Sequence, residues 1–187
     1  NTKIITVYWN GAPSANGAKH IANYNTGFDE VVKRLLQGDE NQLQRFVQVA
    51  RANPSQSATI NTVTNHNDFT MIDQVSYDRK HNELNGENNR DGEDFNFSWN
   101  CGEEGSTRKR KIKELRMRQI KNALAFVFLS AGTPLILAGD EFGNSQNGNN
   151  NPYCVDSELS WVNWKETKEG KEILEWTKAL IQFRQNN

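Results

Sequence analysis

The sequence predicts an α/β fold made of parallel βα units. Short apolar, β-branched runs alternate with segments whose apolar residues recur at helical spacing, and this alternation is typical of parallel sheets covered by helices. Clear strands are predicted at residues 4–7, 60–63 and 135–137, with a shorter one at 20–25. A complete eight-stranded barrel needs about 250 residues. The 187 residues therefore predict about half of a (β/α)8 TIM barrel, as one incomplete domain over 1–187.

The predicted helices follow from apolar spacing and from residues that start or stop helices. Over 28–36 the apolar positions are three or four residues apart, and Gly38 supplies the stop. Asp39 is then predicted to cap a second helix with an apolar face that runs to residue 50. Three more helices are predicted, over 70–77, 116–129 and 173–183.

Charge and cysteine content exclude several classes of protein. Lys and Arg number 22 against 23 Asp and Glu, so no basic excess is present to follow a phosphate backbone, and no nucleic-acid partner is expected. The least polar stretch, 123–138, is interrupted by Gly132 and Pro134, so no membrane span is expected. Cys101 and Cys154 fit neither a disulfide scaffold nor a metal cluster and leave the compartment open, with a cytoplasmic location slightly favoured.

Residues 79–106 form a long polar segment without usable periodicity, and loops of this length are usually functional or disordered. Its acidic group at 91–94 lacks the spacing of a calcium loop, so a solvated acidic loop is favoured over a metal site. The basic run at 108–111 suggests either an anion partner or an exposed helix face, of which the second is favoured. No metal and no cofactor are expected.

Three polar loops follow the predicted strands, at residues 8–10, 65–68 and 139–143. In a barrel of βα units, functional groups lie on the loops after the carboxyl ends of the strands. Aromatic, histidine, carboxylate and amide side chains that converge on one rim suit a sugar site. The alternative is that the carboxylates of the third loop only cap backbone amides and that His66 is a structural histidine. For each loop taken alone, this alternative is favoured.

An ordered series of motifs covers about two thirds of the chain. It comprises INTVTNHNDFTMIDQVSY at 60–77, KHNE at 80–83, NGENNRDG at 85–92, SWNCG at 98–102, GTPL at 132–135, GDEFG at 139–143, GNNNPYC at 148–154 and SW at 160–161. This series resembles the glycogen-debranching and isoamylase branch, which includes pullulanase-like enzymes, of the α-amylase superfamily, glycoside hydrolase family 13. The resemblance implies that the chain covers the fifth strand through the eighth helix of a catalytic barrel.

The resemblance also implies an activity, the retaining hydrolysis of α-1,6 branch points in glycogen or starch. In that family an aspartate nucleophile on the fourth strand, a glutamate acid on the fifth and a stabilising aspartate after the seventh divide the work. A retaining mechanism places the nucleophile and acid carboxyls about 5–5.5 Å apart. The implied partners are an α-glucan, bound weakly, and a missing N-terminal half-barrel.

This sequence departs from the family pattern at the catalytic positions. Val7 stands at the general-acid position, Asn67 stands at the position of the stabilising aspartate, and the nucleophile strand lies outside the chain. No catalytic residue is therefore intact, and we expect the chain alone to be inactive. Asp68 stands where the family usually has glycine. The substrate-binding residues that the resemblance implies are Trp9, His66, Asn67, Asn149, Asn150 and Tyr153.

Three hypotheses remain open at this stage. The chain is part of a debranching glycosidase, or a non-catalytic relative that keeps a glucan-binding rim, or a structural barrel module without sugar affinity. The retained aromatic, histidine and asparagine side chains favour binding over pure scaffolding.

Overall fold

The computed structural model describes residues 4–6, 21–53 and 58–187. Its strands are β1 (Ile4–Thr6), β2 (Ile21–Tyr24), β3 (Ala58–Asn61) and β4 (Thr133–Pro134). All neighbouring strands are parallel, and they follow one another in the order β1-β2-β3-β4. The predicted α/β class with a parallel sheet is confirmed.

The last strand differs from its prediction. β4 covers Thr133–Pro134, whereas the apolar run at 135–137 suggested a strand there. The backbone N–H of Leu135 still donates to the carbonyl oxygen of Asn61 at 2.9 Å. Because β3 ends at Asn61, the following residues have no strand beside them with which to continue the ladder.

The helices are α1 (Phe28–Gln37), α2 (Gln42–Arg51), α3 (Met71–Gln74), α4 (Arg110–Leu129) and α5 (Lys168–Asn186). Gly38 ends α1 as predicted: its backbone, at φ 88°, donates to the carbonyls of Arg34 and Leu35. The prediction that Asp39 caps α2 is wrong, because Asn41 is the N-cap residue. The Asp39 carboxylate instead accepts a hydrogen bond from Nε of Arg34 at 2.8 Å.

One apolar core lies under the helices. Val63, just after β3, contacts a cluster to which α4 contributes Leu124 and Val127 and α5 contributes Ile173 and Leu180. All five side chains are buried, whereas Ile181 and Phe183, which the apolar spacing also places on the apolar side of α5, are 39% and 56% exposed. The core fixes the carboxyl end of β3 against the starts of α3 and α5. None of the helices in the described residues has the length and apolar character needed to cross a membrane.

The long polar segment 79–106 is packed on the rest of the structure, although its only regular element is a short 3-10 helix at Glu83–Asn85. The backbone N–H of Trp99 donates to the carbonyl of Gln74 at 3.0 Å, and that of Gly105 donates to Ser76 at 2.7 Å. Because these bonds reach the end of α3 and the residues just after it, the segment is held close to the loop that follows β3.

Candidate functional site: a polar rim at the carboxyl ends of the strands

His66, Asn67 and Tyr153 line one cleft of about 440 Å³. The first two lie in the loop after β3, and Tyr153 lies in the asparagine-rich loop before α5. All three side chains are exposed, Tyr153 to 85%. The structure therefore brings together three of the side chains that sequence analysis assigned to a sugar site.

The loop after β3 is a compact turn held by its own side chains. Asn65 accepts a hydrogen bond from the backbone N–H of Asn67 at 2.8 Å through Oδ1. It donates through Nδ2 to Asp68 at 2.7 Å. Side-chain bonds of this kind stabilise a turn and leave the intervening side chain free. His66 is therefore presented to solvent at the tip of the turn.

Asp68 points away from the tip and pairs with Lys33 of α1. The distance from Lys33 Nζ to Asp68 Oδ1 is 3.1 Å, and the lysine side chain is only 2% exposed. Burial raises the pKa of Asp68, while the charge of Lys33 opposes that rise. With one oxygen on Lys33 and the other on Asn65, this carboxylate is occupied. The sequence pattern does not indicate Lys33 as part of the site, because the helix is predicted from its apolar residues alone.

A second cleft, of about 500 Å³, opens on the other side of the same turn. His66 and Asn67 line both clefts, and the second also contains the Lys33–Asp68 pair. Phe95, from the long polar segment, borders it and is 78% exposed. The turn is thus a ridge with an aromatic residue beside each cleft, Phe95 on one side and Tyr153 on the other.

Asp140 lies behind the rim and is fully buried. It accepts hydrogen bonds from the backbone N–H of Met71 at 2.7 Å and from the hydroxyl of Thr64. Burial raises its pKa to about 7. Glu141 accepts from the backbone N–H of Gly139 at 2.8 Å. As the capping interpretation predicts, both carboxylates accept hydrogen bonds from backbone N–H groups, and neither lines one of the two rim clefts.

Asn149 and Asn150, which the family resemblance assigns to substrate binding, lie inside an amide network. Both side chains are fully buried. Asn150 accepts from Nδ2 of Asn82 at 2.8 Å and donates to the side chain of Asn96 at 2.8 Å. Asn149 donates to Oδ1 of Asn85 at 2.7 Å. Their amides tie the asparagine-rich loop to the long polar segment, so they are not available to a ligand on the rim.

Val7 and Trp9 lie outside the described residues. Within the part of the chain that the structure covers, no three His, Cys, Asp or Glu side chains converge in a way that could hold a metal ion. What the described rim can do chemically is form hydrogen bonds through an imidazole and an amide and stack an aromatic ring on a ligand.

A parallel βα segment with an exposed His-Asn turn and flanking aromatic residues defines the class as an α/β protein with a parallel sheet and a polar rim. No protein-family model matches the chain. Curated relatives do match. The chain is 52% identical over 131 residues to the glycogen operon protein GlgX homolog of Mycobacterium bovis, which covers 70% of this chain and 18% of that protein.

Two further relatives extend the match along the chain. The glycogen debranching enzyme of Erwinia tasmaniensis is 40% identical over 194 aligned positions, covering 97% of this chain and 29% of the enzyme. Isoamylase 1 of Arabidopsis thaliana is 35% identical over 171 aligned positions, which cover 87% of this chain and 22% of the isoamylase. The chain belongs to the glycogen-debranching and isoamylase branch of the α-amylase superfamily, glycoside hydrolase family 13. It spans less than a third of the length of these relatives.

Solved structures agree on the fold. A pullulanase from Anoxybacillus sp. LM18-11, solved in complex with maltotetraose, matches with a TM-score of 0.61 at 21% identity, over 88% of this chain and 22% of that one. A pullulanase from Bacillus acidopullulyticus matches with a TM-score of 0.60 at 21% identity, over 88% of this chain and 18% of the pullulanase. At this identity the likeness concerns the fold alone.

Proposed function

We propose that the chain is the C-terminal half of a debranching-type catalytic barrel, from the fifth strand to the eighth helix, and that it binds α-glucan weakly without hydrolysing it. The observation that carries this proposal is the exposed His66-Asn67 turn between two clefts at the carboxyl ends of a parallel sheet. In barrels of this kind, that end is where ligands bind.

The half-barrel part of the proposal is supported by the sheet itself. Its strands pair in chain order, as consecutive βα units of a barrel do. β1 lies at an edge, and its Ile4 and Ile5 are 47% and 52% exposed. Apolar side chains of a parallel sheet are normally covered on both faces. A missing N-terminal half-barrel is the partner that would cover them.

The binding part rests on the chemistry of the rim. An imidazole, an amide and a phenol on exposed side chains can bind the hydroxyl pairs and the apolar face of a glucose ring. The clefts are open and lack the walls that a complete barrel would supply. We therefore expect a Kd of about 1 mM or weaker, or roughly −4 kcal/mol.

The absence of hydrolysis is supported by what occupies the catalytic positions. Asn67 carries no charge with which to stabilise an oxocarbenium ion, and Val7 has no proton to donate. The nearby carboxylates of Asp68 and Asp140 are engaged by Lys33 and by the backbone of Met71. Retaining hydrolysis needs both a nucleophilic carboxylate and a carboxylic acid beside the bond that breaks.

Titration of the chain with maltotetraose, followed by amide chemical shifts, tests the binding. We expect shifts in 65–68 and 151–155, and at least a threefold loss of affinity in Tyr153→Ala. The control is Phe183→Ala, which removes another exposed aromatic ring, 56% exposed on α5, and should leave binding unchanged. Shifts confined to other regions, or equal affinity in Tyr153→Ala, would show that the rim is not the glucan site.

A further inference from the structure

A third cavity, of about 400 Å³, lies between α3, α4 and the start of α5. Its walls are largely apolar and include Ile72, Met117 and Ile173. Among the described residues it shares no lining residue with either rim cleft. Its volume lies in the range of sites for small organic ligands.

Arg116 of α4 lines this cavity and is 92% buried, with a relative exposure of 8%. Its guanidinium donates to three backbone carbonyls, those of Gly105 at 2.6 Å, Asn100 at 2.9 Å and Glu103. Among the residues that the structure describes, its buried Nε finds no hydrogen-bond partner. These carbonyls orient the group, but they do not neutralise its charge.

No carboxylate of the described residues lies within 4.0 Å of the Arg116 guanidinium; the ion pairs formed nearby use other cations. The Glu103 carboxylate pairs with Lys109 at 3.1 Å, and that of Glu169 pairs with Lys113 at 2.5 Å. Asp73, which also lines the cavity, accepts from Ser145 at 2.5 Å and from the backbone of Gln146 at 2.7 Å. A buried charge without a counter-ion is costly.

We propose that this cavity binds a small organic anion, a carboxylate or phosphate monoester on an apolar body, with Arg116 as its counter-ion. The apolar walls take the body of the ligand, and the anionic head pairs directly with the guanidinium, which no carboxylate of the described residues does. This site is independent of glucan binding, because the rim contributes nothing to it.

Phenyl phosphate is the probe, titrated into the full chain by calorimetry and followed by amide shifts at 105–107 and 113–117. We expect a Kd of about 1 mM or tighter. Benzyl alcohol, which lacks the charge, and inorganic phosphate, which lacks the apolar body, should each bind at least tenfold more weakly. Maltotetraose should not compete. Equal binding of benzyl alcohol, or no binding of phenyl phosphate at about 20 mM, overturns the proposal.

Arg116→Lys keeps a positive charge but loses the planar fork, and we expect at least a tenfold loss of affinity. The matched control is Arg118→Lys, an exposed guanidinium on the same helix outside the cavity, which should change affinity less than twofold. Met117→Trp fills the cavity without touching the guanidinium, and this variant should abolish binding while circular dichroism stays that of the parent. Unchanged binding in Met117→Trp, or equal losses in the two arginine variants, refutes the site.

Discussion

The backbone N–H of Met71 donates to the carboxylate of Asp140 at 2.7 Å, across 69 positions of the chain. This bond joins the first residue of α3 to the loop after β4. The same carboxylate accepts from the Thr64 hydroxyl, so it also holds the residues that follow β3. One buried side chain thus joins the loop after β4 to both ends of the loop that carries His66.

Asp140 should make the stability of the protein fall as pH rises from about 4 to about 7. Burial raises its pKa from 3.8 to about 7, so the folded state retains a proton that the unfolded chain releases in this window. Asp140→Asn keeps an acceptor for Met71 and a donor for Thr64 without the charge. Between pH 5 and pH 8, urea unfolding of the parent should show the free energy of unfolding fall by a few kcal/mol, at about 1.4 kcal/mol per pKa unit. The fall should be much smaller in Asp140→Asn.

The exposed Asp156 supplies the control for that experiment. Asp156→Asn should leave the pH dependence of unfolding as it is in the parent. If Asp140→Asn and the parent have the same slope between pH 5 and pH 8, the carboxyl of Asp140 does not retain its proton on folding.

Lys33→Met should destabilise the protein by about 3 kcal/mol, because the Asp68 carboxylate is then left buried without its counter-charge. Adding Asp68→Asn should restore part of that loss. Lys109→Met removes the more exposed pair with Glu103 and should cost less than about 1 kcal/mol. Chemical denaturation of the parent and the three variants measures this, and equal losses of stability in Lys33→Met and Lys109→Met would contradict the role given to burial.

Asn150→Ala should destabilise the chain by about 2–4 kcal/mol, since one buried N–H of Asn82 and the buried Oδ1 of Asn96 each lose a hydrogen bond. The loss should appear first as faster proteolysis within 79–106, the segment that these bonds hold. Asn122→Ala, at an exposed position of α4, is the matched control and should be nearly neutral. Unchanged proteolysis in Asn150→Ala would mean that the amide network does not hold the segment.

The chain should release no reducing ends from pullulan or glycogen. Positioned acid–base catalysis contributes about 10²–10⁴-fold, and the proposed function places Val7 at the general-acid position. Val7→Glu combined with Asn67→Asp should still give no activity, because the proposed function places the nucleophile on a strand outside these 187 residues. Release by the unmodified chain that Asp68→Asn or Asp140→Asn abolishes would overturn this expectation.

The class of fold and part of the helical faces could be predicted from apolar spacing: Leu124 and Leu180 are buried as expected, whereas Leu43 and Val47, on the face predicted for α2, are 65% and 44% exposed. The first and last residues of individual helices and strands could not be predicted in this way. α2 begins after Asn41 rather than Asp39, whose carboxylate accepts from Arg34, and β4 pairs only with Ile60 and Asn61, the last residues of β3. Both are set by neighbours that a local pattern does not contain.

The candidate site was predictable to the extent that its residues are close in sequence. The turn that carries His66 forms from bonds between positions two or three apart. The burial of Asn150 could not be predicted, because its partners lie 54 and 68 positions away and an asparagine in a buried network has the same sequence signal as one that binds a sugar.

The order of the strands has a consequence for how the chain folds as it is synthesised. Each strand of the sheet pairs with the one before it in the chain, from β1 to β4. Each new βα unit can therefore dock on a strand that has already emerged, without waiting for a distant segment. The most recent strand is always the growing edge, and the sheet lengthens in the same direction as translation.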